Sequence, residues 1–404
     1  MNSSKTNSRG ILTGVLICLV GLLASTSLAD DLGKLTDANT SFAFDLLKQI
    51  AKEQPGQNIF ISPFSVSTVL QMTADGAAGG TKAEMQRVLK TAGLPSEMLN
   101  AACKDLDLSL NSQSNVILNL ANGIWYKKEF HLKPGFVSNN KNFFQAELAG
   151  VDFLNPKSAD IINDWADKKT RGKIQNVVRF PFEPDTRLIL ANAIYFRGMW
   201  AEPFDKNQTK PRAFHLANGK TEQTSMMSQR KTFSYQEGDG FQAVRLSYAG
   251  DRLQMYLFLP ATNSSPQKLL ADFNGENWRD KILSQFQNRV GKLALPRFKM
   301  EYGVMLNDPL IALGMKQAFT GNADFSAMAS EPLFVSEVKQ KSFVDVNEEG
   351  TEAAAVTTVT MESMAIMKPM RPFEMIVDRP FVFVIGDDST KSILFMGVVY
   401  DPAN

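Results

Sequence analysis

The sequence has very little of the side-chain chemistry on which most enzymes and metalloproteins depend. It contains two histidines and two cysteines in 404 residues, and neither His131 nor His215 has a cysteine or a second histidine at metal-ligand spacing. The Gly-x-Ser-x-Gly, His-Glu-x-x-His and phosphate-loop patterns do not occur. We therefore expect no metal, no cofactor and no enzymatic activity. A catalytic pair of carboxylates is the enzymatic alternative that remains.

The small number of cysteines also excludes an internal disulfide in the mature chain. Cys18 lies in an N-terminal segment with two positive charges, an apolar run from 11 to 24 and the small-x-small sequence Ser27-Leu28-Ala29. This pattern predicts a secretory signal peptide, residues 1–29, and a secreted or, in a bacterium, periplasmic protein. The run is short for an uncleaved membrane anchor. Cys103 then has no second cysteine to pair with, and we expect a buried, unreactive thiol.

Neither sign of charge dominates the sequence. Lys plus Arg number 43 and Asp plus Glu number 42, without a run of five or more like charges. We therefore expect no nucleic-acid and no membrane partner. After residue 29 the sequence also lacks repeats, low-complexity tracts and linkers rich in proline, glycine or serine. Residues 30–404 are accordingly predicted to form a single domain.

Hydrophobic periodicity predicts helices in the first half of the chain and strands in the second. Helix starts are indicated near Asp37, at Ser62-Pro63 and at Thr81, each followed by apolar positions at helical spacing. Three helices are thus predicted before the first strand. The predicted strands are 188–196, 242–246, 252–260, 291–299 and 342–346, with a buried C-terminal hairpin of 381–385 and 393–400. Helices first and strands later favour a mixed α+β fold.

The segment 348–372 combines the pattern of a strand with the flanks of a loop. Alternate residues from Thr351 to Met361 are small or apolar, and Glu352 and Glu362 fall on the opposite face of such a strand. An acidic pair with a glycine precedes the pattern and two prolines follow it, which is typical of an exposed loop. A loop with the pattern of a strand is a candidate for moving into a sheet. A plain edge strand and a short helix through the alanines are the alternatives.

Four segments resemble the signatures of the serpin family. Asn347–Ala355 resembles the hinge of inhibitory serpins, and Asn58–Ser65, Leu190–Trp200 and Asp378–Phe383 with Leu394–Gly397 resemble its other signatures. They occur in the order of the family, over roughly 36–402. The resemblance implies an α+β serpin fold with three β-sheets, eight or nine helices and an exposed reactive-centre loop at about 348–372.

The resemblance also implies a function. In inhibitory serpins a target serine protease cleaves the loop and forms an acyl-enzyme, and the freed strand then inserts into the main sheet and traps the protease. Small side chains on the inward face of the loop favour inhibition here. Non-inhibitory storage, transport or chaperone serpins, and inhibition of a papain-like cysteine protease, are the alternatives. We expect a monomer. Heparin is not a predicted partner, because no cluster of Lys and Arg marks 83–90.

Counting seventeen residues from Glu348, as in the family, predicts cleavage between Met364 and Ala365. An unbranched apolar residue suits the primary pocket of chymotrypsin-like or elastase-like enzymes. Lys368 and Arg371 are each followed by proline, which disfavours a trypsin-like target. The loop is longer beyond Met364 than in many relatives, so Met361 and Met367 are alternative cleavage residues.

The resemblance assigns supporting residues at three places around the main sheet. The hinge comprises Glu348, Glu349, Gly350, Thr351, Glu352, Ala353, Ala354 and Ala355. The breach, at the top of the sheet, comprises Glu348, Arg297 and Trp200. The shutter, beneath the sheet, comprises Ser62, Ser65, Asn192 and Gln340. Gln340 stands where the family usually has a histidine, and because glutamine does not titrate, no pH-dependent shutter is expected.

Overall fold

The computed structural model describes the backbone of residues 9–111, 116–351 and 371–403 and the side chains of 30–110, 116–351 and 371–403. Among these residues no helix is both long and apolar enough to cross a membrane. The described backbone contains nine α-helices: α1 (Arg9–Glu53), α2 (Pro63–Ala74), α3 (Gly79–Val88), α4 (Ser96–Asn111), α5 (Pro134–Phe144), α6 (Lys157–Lys169), α7 (Pro266–Asp272), α8 (Gly275–Asn277) and α9 (Asn307–Ala312).

The same residues form fifteen strands, most of them in the second half of the chain as predicted. They are β1 (Ile59–Ile61), β2 (Val116–Lys127), β3 (Glu147–Val151), β4 (Leu188–Met199), β5 (Lys210–His215), β6 (Thr221–Gly238), β7 (Phe241–Ser247), β8 (Leu253–Pro260), β9 (Gln287–Pro296), β10 (Phe298–Met305), β11 (Glu337–Asn347), β12 (Gly350–Thr351), β13 (Phe373–Ile376), β14 (Phe381–Asp387) and β15 (Ile393–Val399).

The first helix begins earlier than predicted. It starts at Arg9 and continues through position 29, so Asp37 lies inside it rather than capping it. The carboxylate of Asp37 instead forms an ion pair of 2.6 Å with Arg279. The removal of residues 1–29 stays a prediction.

Helix α2 begins as predicted, although a strand comes before it. Ser62 is its N-cap and accepts a hydrogen bond from the Ser65 amide, and Pro63 occupies the first turn. The prediction that three helices precede the first strand is wrong, because β1 lies between α1 and α2. β1 has only three residues, too few for an alternating pattern, and it is held by pairing with β15.

One sheet has six strands in the order β10-β11-β12-β4-β2-β3. Its centre is the parallel pair of β4 and β11, flanked by the antiparallel neighbours β2 and β10. The first nine residues of β4 are all buried, as expected for a strand covered on both faces. This sheet carries the hinge and the shutter.

The other sheet has nine strands, in the order β1-β15-β14-β8-β7-β6-β9-β13, with β5 paired to β6. The 18-residue strand β6 belongs to two parts of it. Residues Met226–Tyr235 pair with β9, and Ser234–Gly238 pair with β7. If this sheet is divided at β6, its two parts and the six-stranded sheet make the three β-sheets that the serpin resemblance implies.

The C-terminal hairpin is as buried as predicted. Every residue of β14 and β15 is buried. The ring of Phe395 stacks on Phe60 at 5.3 Å and meets Phe196 of β4 at 5.4 Å. Through Phe395, the hairpin of the nine-stranded sheet therefore packs directly against β4 of the six-stranded sheet.

The predicted strand 291–299 is wrong in one respect, because the structure divides it into β9 and β10. Pro296 ends β9, and proline cannot donate a ladder hydrogen bond. Arg297 lies at the break, where its amide donates to Ser225 O at 2.9 Å. Its side chain is 45% exposed and reaches the hinge.

Candidate functional site

The central pair of the six-stranded sheet separates at one end. Ile189–Tyr195 of β4 are in register with Glu337–Phe343 of β11. Beyond this point β12 lies between the two strands. Thr351 pairs with Val346 on one side and with Gly198 on the other. The first two residues after the acidic pair of the hinge thus already form a short strand inside the main sheet.

Only glycine fits at the first position of β12. Gly350 has φ +149°, and a Cβ there would lie 2.2 Å from Gly198 O and 2.6 Å from Met199 Cα. Thr351 is fully buried, and its hydroxyl forms a hydrogen bond of 2.9 Å with Tyr248. Burial raises the pKa of Tyr248, so the phenol is neutral in this contact. The first position therefore accepts no side chain, and the second holds one that is fully enclosed between two strands.

The residues assigned to the breach lie together beside β12. Glu348 is 1% exposed, and Arg297 Nε lies 2.8 Å from both of its carboxylate oxygens. The Thr209 hydroxyl donates to the same carboxylate. Burial raises the pKa of Glu348, but the hydrogen bonds from Arg297 and Thr209 outweigh it and hold the net pKa below its usual value. The hinge is therefore anchored as an anion.

Trp200 fixes the backbone of the hinge. Its indole Nε1 donates to Asn347 O at 2.9 Å, and its amide donates to Glu349 O at 2.9 Å. The indole ring stacks on Tyr248 at 4.7 Å with an interplanar angle of 18°. Glu349 also pairs with the exposed Lys206. Asn347 to Thr351 are thus held by backbone, aromatic and charged contacts together.

The shutter residues form one buried network beneath the sheet. Gln340 Nε2 donates to Asn192 Oδ1 at 2.7 Å and to Ser62 O at 3.0 Å, and Gln340 Oε1 accepts from the Ser62 amide at 3.0 Å. Asn192 also donates to the Ser65 hydroxyl. The first of these bonds joins β11 to β4 directly, so the two strands cannot separate without breaking it.

Two further members of the shutter were missed by sequence reasoning. Asn122 of β2 accepts from Asn192 Nδ2 at 2.6 Å, and the Ser342 hydroxyl donates to Phe60 O at 2.5 Å. A signal for Asn122 was available, because Leu120-Ala-Asn122 repeats the Leu190-Ala-Asn192 sequence of β4. No comparable signal marks Ser342, Thr209 or Tyr248.

The remaining predictions divide between described and undescribed parts of the chain. Met364, Ala365, Met361, Met367 and hinge residues 352–355 lie outside the described residues. In the described part of the chain, no group of three or more His, Cys, Asp or Glu side chains is placed to hold a metal ion. Cys103 is buried, and burial raises its pKa to about 12, which agrees with the predicted unreactive thiol.

Comparison with known proteins identifies the class. Residues 37–402 match the family model for "Serpin (serine protease inhibitor)". The chain is 38% identical to a serpin-like protein of Thermococcus kodakarensis, over 91% of this chain and 86% of that protein. It is 36% identical to the bovine (Bos taurus) leukocyte elastase inhibitor, over 91% and 100%. The crystal structure of human thyroxine-binding globulin matches with a TM-score of 0.83 and 28% identity, over 92% and 99%. The chain belongs to the serpin family and has the serpin fold.

Proposed function

We propose that this serpin inhibits a serine endopeptidase of chymotrypsin-like or elastase-like specificity by acyl-enzyme trapping and loop insertion. The protease, not the serpin, carries out the chemistry, so the serpin needs no catalytic residues of its own. The observation that carries the proposal is the position of β12 between β4 and β11. The sheet is open where insertion would begin, and the loop has already entered that opening by two residues.

The length of the loop suits the mechanism. From Thr351 to Met364 there are 14 residues, which as a strand would extend about 45 Å at roughly 3.3 Å per residue. That distance is enough to carry a bound protease from one end of the sheet to the other. Each new ladder hydrogen bond would contribute about 0.5–1.5 kcal/mol, so a dozen would contribute on the order of 10 kcal/mol.

Similarity to the leukocyte elastase inhibitors also supports the proposal. They match this chain at 35–36% identity in cattle and pig, over the full length of those proteins. Met364 as the residue before the cleaved bond fits an enzyme that accepts unbranched apolar side chains. Met361 and Met367 are the alternative cleavage residues, and sequencing of the cleaved protein distinguishes the three.

A protease panel tests the mechanism and the cut site together. The protein is incubated with chymotrypsin, elastase, trypsin and papain, followed by denaturing electrophoresis and sequencing of the released C-terminal peptide. We expect an SDS-resistant complex with chymotrypsin or elastase and a new N-terminus at Ala365. A complex with papain alone would favour the cysteine-protease alternative. Cleavage without any complex would refute inhibition.

Thr351→Arg tests insertion itself. Thr351 is fully buried between two strands, so an arginine there would leave a charge without water. We expect the variant to be cleaved as a substrate and not to trap. Thr351→Ser is the matched control, because it keeps the hydroxyl that contacts Tyr248 and should trap normally. Trapping by the arginine variant at the wild-type rate would contradict loop insertion.

A non-inhibitory role is the second candidate, supported by the similarity to thyroxine-binding globulin, whose structure contains thyroxine. Such a serpin would be nicked without gaining heat resistance, whereas insertion should raise the unfolding temperature of the cleaved form. The proposal also includes secretion after removal of residues 1–29 and a monomeric state. N-terminal sequencing of protein recovered outside the cytoplasm and light scattering test these two points.

A further inference from the structure

β13 is the first strand after residues 352–370 and lies at an edge of the nine-stranded sheet. Among the described strands its one partner is β9, with which it pairs in parallel over the four residues Phe373–Ile376. Its far end is continued by backbone contacts, because the Val377 amide donates to Ala294 O at 2.8 Å. An edge strand this short needs further contacts at its beginning if it is to hold the end of the loop.

The side chain of Arg289 on β9 supplies one such contact. Its Nε donates to Arg371 O at 3.0 Å, and its Nη1 donates to Glu237 Oε2 at 3.1 Å. The guanidinium carbon lies 5.3 Å from the centre of the Tyr235 ring, within range of a cation–π interaction. The guanidinium is thus held in place by a carboxylate and a ring, and it presents a donor to the main chain at the end of the loop.

Neighbouring side chains enclose the first residues of β13. Phe373 is 5% exposed and stacks on Tyr235 with 3.8 Å between ring centres and an interplanar angle of 12°. Gly291 makes room for this ring, because a Cβ there would lie 2.2 Å from it. Gln242 Nε2 donates to Glu374 O at 3.1 Å. The beginning of β13 is therefore held by side chains from β6, β7 and β9.

Strand β9 relates the two ends of the loop to each other. Arg289 lies near its beginning and binds the main chain at Arg371. Arg297 directly follows its end and binds Glu348 of the hinge. The two arginines are eight positions apart, which in an extended chain corresponds to about 26 Å at roughly 3.3 Å per residue. Each end of the loop is thus bound by an arginine at one end of the same strand.

We propose that Arg289 is a positioning residue that fixes the C-terminal end of the reactive-centre loop and thereby restricts cleavage to bonds well before Arg371. The inference rests on the proposed function, because it requires a protease that cleaves this loop. Met364 lies seven positions before Arg371, and Met367 lies four positions before it. With Arg371 held, the bond after Met367 can lie at most about 14 Å from it, whereas the bond after Met364 can lie about 25 Å away. The longer reach allows the chain on both sides of the bond to enter a protease cleft.

Loss of the Arg289 contact would lengthen the part of the chain that a protease can reach. If β13 separates from β9 as far as the Val377 amide, the six residues 371–376 are added to the loop. Phe373 would then leave its position on Tyr235. A protease with an apolar primary pocket would cleave after Met367 and after Phe373 as well as at the original bond.

The pattern of cuts tests this restriction. Full-length wild type, Arg289→Met and the matched control Lys292→Met are each incubated briefly with chymotrypsin, and the new N-termini are sequenced. Lys292 lies on the same strand and contacts the side chain of Glu374 at 3.1 Å, so its replacement removes a side-chain contact and leaves the main chain of β13 bound. We expect one new N-terminus, at Ala365, in wild type and control, and additional ones at Lys368 and Glu374 in Arg289→Met.

Two results would overturn the proposal. One is cleavage of the wild type after Met367, and the other is an unchanged pattern of cuts in Arg289→Met. Because the cuts are read by sequencing, they are informative whether or not the protease is trapped. Cleavage without a covalent complex would refute inhibition and still test Arg289, whereas trapping with the wild-type pattern in Arg289→Met would refute this inference alone.

Hydrogen exchange tests the same contact without a protease. The amides of 373–376 are followed by mass spectrometry in the intact proteins. We expect exchange about tenfold faster in Arg289→Met, and changed by less than about threefold in Lys292→Met. Exchange at the wild-type rate in Arg289→Met, or an equal increase throughout the molecule, would overturn the proposal.

Glu237→Gln covers the case in which Arg289→Met does not fold. Glu237 is 60% exposed, and glutamine keeps the shape of the side chain while removing the charge that orients the guanidinium. We expect faster exchange at 373–376, by a smaller factor than in Arg289→Met, and no further increase when the two changes are combined. Additive effects of the two changes would show that Glu237 does not act through Arg289 and would overturn this part of the proposal.

Discussion

The ion pair between Arg297 and Glu348 should restrain the hinge, and a double-mutant cycle measures how strongly. The variants are Arg297→Met, Glu348→Gln and the double variant. Arg297→Met leaves the carboxylate of Glu348, with a side chain 2% exposed, bound only by Thr209 and by backbone. Glu348→Gln removes the charge but keeps the shape of the side chain. The loss of unfolding free energy in the double variant should therefore be smaller than the sum of the losses in the two single variants.

The expected size follows from the geometry. A hydrogen bond to a charged group contributes about 1.5–3 kcal/mol, and Arg297 contacts the carboxylate through Nε at 2.8 Å and through Nη2 at 2.6 Å. Arg297 is 45% exposed, so solvent screening reduces this value. We expect a coupling free energy of about 1–2 kcal/mol at pH 7.5.

The assay is thermal unfolding at a fixed scan rate and protein concentration. Lys206→Met is the matched control, because Lys206 pairs with the neighbouring Glu349 and is 65% exposed. An exposed pair of this kind should contribute less than about 1 kcal/mol. A coupling below about 0.3 kcal/mol, or a loss in Arg297→Met no greater than in Lys206→Met, would refute the idea that this pair anchors the hinge.

The same cycle has a defined pH dependence. The net pKa of Glu348 lies below its ordinary value of 4.5, so the folded state holds fewer protons on this group than the unfolded chain does. The stabilisation is fully present above pH 4.5 and is lost as pH falls through the lower folded pKa. The coupling should therefore be unchanged between pH 7.5 and pH 5.5.

Two further predictions concern the shutter and the hinge glycine. Gln340→Leu leaves Asn192 Oδ1 and the buried Ser62 amide without their partners, so we expect the free energy of unfolding to fall by about 2–4 kcal/mol. Denaturant titration measures this change, with Gln267→Leu at an exposed glutamine as the control. Equal stability of the two variants would contradict the network. Gly350→Ala places a methyl group 2.2 Å from Gly198 O, so β12 should leave the sheet and limited proteolysis near the hinge should become faster. Gly321→Ala, whose methyl group meets nothing within 4 Å, should be cleaved at the wild-type rate. Equal rates of proteolysis for the two variants would show that β12 is not held in the sheet.

The site was more predictable from the sequence than the strand boundaries were. Three of the four serpin signatures contain Ser62, Asn192, Glu348 and Trp200, and in each of them the polar residue lies in or directly beside a strand of the structure. The structure brings all four into the hinge, breach and shutter networks. The break between β9 and β10 at Arg297 was harder to predict, because a proline such as Pro296 can also lie within an edge strand without ending it.

The contacts that the sequence could not predict join residues without any local pattern. Asp75, which directly follows α2, accepts hydrogen bonds from Asn100 of α4 and Asn139 of α5, and 64 residues separate Asp75 from Asn139. Their association depends on how those helices pack, which hydrophobic periodicity does not specify. The same holds for the Thr351–Tyr248 contact, whose partners are 103 residues apart.

If the loop inserts as proposed, the main sheet would itself supply the barrier that keeps the intact protein in the uninserted form. An inserted strand would first separate β4 from β11 along seven register pairs and break the Gln340–Asn192 bond beneath them. It would then form two ladders in place of one. The contacts that are lost come before those that are gained, so the barrier is set by the existing ladder and the shutter. β12 lies at the end where β4 and β11 no longer pair with each other, so under the proposed mechanism the cleaved loop would enter the sheet from there.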